Sequence, residues 1–106
     1  MRLMSKRSRA CDIPPKVKKA VWIRDNGRCV FCGSHYAMPT AHYVSRQSGG
    51  LGVEQNILTL CTDCHRRYDQ TTDRKALKEY FTAYLKSQYV DWDESKLYYK
   101  KGIGND

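Results

Sequence analysis

Apolar positions fall at helical spacing in two stretches of the chain and in short extended runs between them. In the first helical stretch Val17, Ala20, Val21 and Ile23 make a stripe, while Lys16, Lys18 and Lys19 face out. Pro14-Pro15 suits an opening turn, Asp12 is the candidate N-cap, and Asn26-Gly27 supplies the turn chemistry that ends a helix. In the second, Leu77, Tyr80, Phe81, Tyr84 and Leu85 recur every three or four residues. They predict a helix from an Asp73 cap to about Gln88. Thr40–Val44 and Asn56–Leu60 are the extended candidates, and three glycines in the four positions 49–52 impose a loop between them. Another helix is expected to start within Cys61–Cys64, carry His65 through Asp69, and break at Thr71-Thr72-Asp73. The aromatic tail with Trp92, Leu97, Tyr98 and Tyr99 is expected to pack back on the domain.

A chain of 106 residues suits one domain and is too short for two separate cores. Residues 1–12 read as a basic, disordered arm and 13–106 as a single domain, with a motif core at 24–70 and a helical extension at 73–100. No apolar run approaches the ~20 residues of a membrane-spanning helix. The N-terminal stretch has charge but no apolar region behind it, so a secretory signal is not expected. The expected setting is a reducing cytoplasm, that of a host cell if the chain is phage-encoded. There, paired cysteines point to metal or redox chemistry rather than disulfides.

The net charge of +8 is unevenly placed. Residues 1–28 carry nine Lys and Arg against Asp12 and Asp25, a net of +7, which leaves +1 for the remainder. A basic front on a nearly neutral body points to a polyanion, most simply nucleic acid. A solubilising tail would have the same composition, so the motifs must decide.

Cys29-Val30-Phe31-Cys32 and Cys61-Thr62-Asp63-Cys64 have the spacing of a four-thiolate zinc site, each pair turning two sulfurs toward one tetrahedral ion. Four thiolates close the shell and leave no open position, so this Zn²⁺ is expected to be structural. Cys61 to His65 also fits the CxxCH pattern of haem attachment, but that needs an oxidising compartment and leaves Cys29 and Cys32 unexplained. A thioredoxin-like redox pair lacks the surrounding strand–helix alternation. Cys11 has no CxxC partner and reads as a bystander thiol.

Arg24-Asp25-Asn26-Gly27-Arg28-Cys29 with Cys32-Gly33, Ala41-His42-Tyr43-Val44-Ser45-Arg46 with Gly49-Gly50, and Asn56-Ile57-Leu58-Thr59-Leu60-Cys61 with Cys64-His65 together resemble an HNH endonuclease. The resemblance is to the small zinc-framed type of phages and prophages, and it covers about residues 20 to 70. The Tyr-rich helix and Trp92 beyond it are similar to extensions seen in such proteins. The resemblance implies an α+β fold, a ββα-metal domain in which a hairpin bearing His42 packs on a helix bearing His65. It implies His42 as general base, Asn56 as the brace of its loop, and His65 as ligand to a divalent cation of the Mg²⁺, Mn²⁺ or Ni²⁺ class.

The chemistry is consistent with those residue types. Phosphodiester hydrolysis needs an activated water, and a neutral histidine is a suitable base near pH 7. It also needs the transition-state charge and the leaving oxygen stabilised, and one cation serves both. One position departs from the pattern, because Ala41 stands where many HNH proteins have a second metal ligand. Asp69, four residues after His65 on an expected helix, is the substitute candidate. Its other reading is a partner for Arg66 or a cap at the Thr71 break. A shifted register, with His42 as ligand and Tyr43 as base, fits the Gly49-Gly50 spacing less well. Arg46, Arg66 and Arg67 are candidates for phosphate contacts, and His35 reads as a loop residue.

The expected function is a metal-dependent DNA endonuclease or nickase leaving 5′-phosphate and 3′-hydroxyl ends. The alternative is a non-catalytic, zinc-ribbon-like DNA-binding module, a degenerate HNH copy. DNA is the expected partner and no membrane is, while a homodimer and phage packaging or recombination proteins stay open.

Overall fold

Two antiparallel strands form the centre of the computed structural model, which describes residues 5–100: β1 (Ala37–His42) and β2 (Ile57–Cys61). The helices are α1 (Lys6–Cys11) and α2 (Pro15–Arg24) before the hairpin, then α3 (Thr62–Gln70) and α4 (Arg74–Gln88) after it. The fold is thus a small α+β arrangement around a two-stranded sheet. In register, His42 lies opposite Ile57 and Ala41 opposite Leu58, while Met38 pairs with Leu60 and Ala37 with Cys61. The register shifts at Pro39-Thr40, where proline has no N–H to give a ladder.

β2 is buried at every position. One side of the hairpin meets α3 and α4 through Leu58, Leu60, Tyr68, Leu77, Phe81 and Leu85. The α4 stripe predicted from its periodicity supplies three of these, Leu77, Phe81 and Leu85. Trp92 folds back, stacking edge-on against Tyr43 at 5.4 Å and donating its indole N–H to the Gln55 carbonyl at 2.8 Å. Leu51 N–H donates to the Leu97 carbonyl at 2.8 Å, which fastens the tail to the glycine loop. A side chain at Gly50 or Gly52 would collide with the Val44 or Asp12 carbonyl, each 1.7 Å from the added Cβ. No helix among the described residues is long and apolar enough to cross a membrane.

Four expectations need correction. Lys6–Cys11 is helical, not part of a disordered arm: Ser5 caps it, Cys11 is buried, and Ala10 accepts a hydrogen bond from Gly52 N–H at 3.0 Å. Asp12 does not cap α2, whose N-cap is Pro14 with no side-chain bond. The first strand runs from Ala37 to His42, because Tyr43 and Val44 turn away to bond with Asn56. Asp73 does occupy the N-cap position of α4, but its carboxylate accepts from Arg67 and caps nothing. The first four residues of the expected arm lie outside the described residues.

α2 is held by a buried ionic clamp. Arg24 forks onto Asp25 (2.7 and 2.9 Å) and also donates to the carbonyls of Glu54 (2.8 Å) and Ile57 (2.7 Å). Asp25 in turn accepts from Thr59 N–H at 3.0 Å and from the Tyr84 hydroxyl. One ion pair therefore ties α2 to β2 and α4. Asp25→Ala strands the guanidinium in the interior, and an urea titration should show stability lower by about 3–5 kcal/mol.

Candidate active site

The first cysteine pair sits in a tight knuckle. Gly33 N–H donates to the Cys29 carbonyl at 2.9 Å, and Gly33 takes φ +79°, which suits a residue without a Cβ. Val30 N–H donates to the Thr59 carbonyl at 2.9 Å, docking the knuckle on β2. The second pair lies where β2 becomes α3, with Cys61 as N-cap, its sulfur accepting from Cys64 N–H at 3.4 Å. The donor sulfurs of Cys29, Cys32, Cys61 and Cys64 all lie within 4.8 Å of one another, with Cys32 and Cys61 at 3.6 Å. Sulfurs around a tetrahedral zinc with ~2.3 Å bonds lie ~3.8 Å apart. The cluster could therefore hold a metal ion such as zinc. Burial pushes the Cys29 thiol up, but backbone hydrogen bonds at Cys32, Cys61 and Phe31 outweigh it and bring the thiol down to about 7.

A cleft of about 930 Å³ opens beside the hairpin, and none of the four cysteines lines it. Its walls include His42 from the end of β1, His65 and Asp69 from α3, Arg46, Arg74 and Lys18. His42 and Thr40 both reach the cleft because alternate strand residues share a face. Ala41 points the other way and is 1 % exposed in the core opposite Leu58. The position that lacks a ligand is thus a packing position in this chain.

His42 Nε2 lies 2.8 Å from the Cys11 carbonyl oxygen. A carbonyl can only accept, so Nε2 carries the proton and the neutral ring keeps its lone pair on Nδ1. Burial holds the His42 pKa below 6.5; the Cys11 hydrogen bond opposes this, and the charges of Arg46 and His65 add to it. His42 is therefore a fixed, neutral acceptor at pH 7.

Asn56 is fully buried and braces the loop after β1. Its side-chain oxygen accepts from Val44 N–H at 2.7 Å, and its amide donates to the carbonyls of Val44 (3.1 Å) and Leu51 (2.8 Å). That uses both faces of the amide on the backbone that follows His42.

His65 Nε2 and Asp69 Oδ2 are 3.0 Å apart, one turn apart on α3 and both partly exposed. Donors on adjacent corners of an octahedral shell with ~2.1 Å bonds lie ~3.0 Å apart. The 3.0 Å contact is that of a directly paired imidazole and carboxylate, and the same separation is compatible with two ligands of one octahedral cation. Among the described residues only the tetracysteine cluster gathers three or more such donors, and the cleft does not.

The three arginines singled out in the sequence separate. Arg46 lines the cleft, pairing with Asp12 at 2.9 Å. Arg66 pairs with Asp63 at 3.0 Å, and Arg67 pairs with Asp73 at 3.2 Å and stacks over Phe31. Neither is among the cleft's lining residues. Tyr43 is buried, its hydroxyl bonded to Thr82 and Glu94 and its pKa raised to about 12 by burial, so it does not face the cleft as a base. His35 is exposed outside the regular elements.

Sequence reasoning missed Arg74, Lys18 and the Cys11 carbonyl. Arg74 is poised by stacking on Tyr68 at 4.2 Å and by donating to the Tyr68 carbonyl at 3.0 Å, with Asp69 3.8 Å away. A backbone carbonyl has no sequence signature, and Arg74 lies across the α3–α4 break. No family model matches the chain, and no curated protein matches it.

Proposed function

We propose that this chain is a metal-dependent DNA endonuclease of the HNH type, with β1, β2 and α3 as its ββα-metal unit. The observation that carries the proposal is the shared cleft: His42, its tautomer fixed by the Cys11 carbonyl, lines it together with the 3.0 Å His65–Asp69 pair. The cysteine cluster holds a structural zinc that fixes α3 against the hairpin.

His42 Nδ1 takes a proton from water as that water's oxygen bonds to phosphorus. The bond from phosphorus to the 3′ oxygen breaks and that oxygen takes a proton from solvent water, which gives 5′-phosphate and 3′-hydroxyl ends. His65 and Asp69 would hold a divalent cation, which would supply Lewis-acid stabilisation of the leaving oxygen. Arg46 and Arg74 neutralise the phosphate oxygens, and Arg46 exchanges Asp12 for substrate as it does so. Asn56 keeps the loop after His42 from shifting the base away from the water.

The two-ligand site is tested by calorimetry of Mn²⁺ binding to the zinc-loaded protein. The wild type should bind one Mn²⁺, and Asp69→Ala and His65→Ala should each weaken it by roughly 10-fold or more. A wild type that takes up no second metal would leave a DNA-binding module without catalysis.

A further inference from the structure

The lysines of α2 are not used by the core, and of the three Lys18 alone lines the cleft. Lys16, Lys18, Lys19 and Ile23 are exposed, Trp22 is 39 % exposed with its indole against Gly27, and the three lysines make no ion pair among the described residues. The acidic side chains nearby are already committed, Asp25 to the buried Arg24 clamp and Asp12 to Arg46. α2 itself contains no acidic residue.

Helix stability does not explain this composition. Lysines in the first turns of a helix oppose its dipole, and no side chain caps the N-terminus in compensation. Packing does not explain it either, since Val21 is the residue α2 buries. Yet the helix is rigidly fixed by Arg24, so its charged face is presented at a defined place. Lys18 reaches into the catalytic cleft, which makes the face continuous with the site.

We propose that this face of α2 is the docking surface for the backbone of double-stranded DNA, feeding the duplex into the cleft past Lys18. It rests on the nuclease assignment and adds the path of the substrate. Within one turn of helix Lys19 lies between Lys18 and Lys16 around the axis, about 100° from one and about 60° from the other. The three charges thus fan over about 160° of the helix, with axial steps comparable to the ~3.4 Å rise between charges on one DNA strand. Long side chains can thus reach neighbouring phosphates, and Trp22, one turn beyond Lys18 on the same side, offers an apolar contact beside them.

The test is anisotropy of a labelled duplex without added divalent cation, titrated with salt. Lys16→Ala with Lys19→Ala should flatten the slope of log K against log[salt] by about 0.9 per lysine. Lys16→Glu with Lys19→Glu should weaken DNA binding further while leaving the thermal midpoint equal or higher, because acidic residues there favour the dipole. A structural role would move affinity and stability together. A slope equal to wild type overturns the proposal. So does strong binding of phosphatidylserine vesicles with no change in the DNA slope, which would assign the face to a membrane surface. Absence of nicking by the wild type would sink the nuclease assignment and leave the slope intact. An unchanged slope beside normal nicking would sink only the docking surface.

Discussion

Cys64→Ser is expected to unfold this protein. The proposed zinc joins a knuckle that packs on β2 to the junction of β2 and α3, so its loss frees both sides of the hairpin at once. Structural zinc contributes on the order of 10 kcal/mol of apparent binding free energy, realised as folding. A small domain has a net stability of about 5–15 kcal/mol, so the loss consumes most or all of it. Circular dichroism of the variant should show no cooperative thermal transition, and the wild type treated with a strong chelator should behave alike. Cys11→Ser is the control. Cys11 is buried but outside the cluster, so that variant should retain a cooperative melt. A cooperative Cys64→Ser melt close to wild type would mean that the cluster holds no structural metal.

His42→Ala removes the proposed general base and should lower the nicking rate by about 10²- to 10⁴-fold with the fold preserved. The imidazole is partly buried and its one hydrogen bond is to the Cys11 carbonyl, so its removal costs stability about 1 kcal/mol. The pH profile adds a sign. Burial, with Arg46 and His65 beside it, lowers the folded-state pKa of His42 despite the Cys11 bond and Asp69. The acid limb of a His42-dependent nicking rate should therefore lie below pH 6.5. Stability follows the same direction: the unfolded chain takes this proton first, so this group's contribution declines as pH falls through 6.5 toward the folded pKa.

What could be read from the chain was local. The two cysteine pairs, the α4 stripe and the Asn26-Gly27 stop depend on spacing within a few residues, and each has its place in the fold. The His65–Asp69 adjacency was legible because four helical residues bring a side chain back to within about 40°. The same periodicity turns Arg66 and Arg67 about 100° and 200° away from His65, although they follow it directly in sequence. Their departure from the cleft was thus implicit in the helix that placed His65.

The unreadable parts were held by distant partners. α1 has little apolar content, and its order comes from contacts some forty residues on, with Arg7 donating to the Arg46 and Gln47 carbonyls and Ala10 accepting from Gly52. Asp12 has the composition of a cap, but Arg46 offers it a charged partner in the cleft. The group that orients His42 is a backbone carbonyl in that same segment, so no residue type announces it.

The most direct measurement is nicking of supercoiled plasmid by zinc-loaded wild type and His42→Ala at equal concentration and matched thermal midpoint, with Mg²⁺, Mn²⁺ or Ni²⁺ added. Wild type should relax the plasmid only when the cation is present, and the variant should be slower by two orders of magnitude or more, roughly the worth of a general base. Equal rates for the two proteins, or a wild type that binds the plasmid and never cuts it, would contradict His42-dependent hydrolysis.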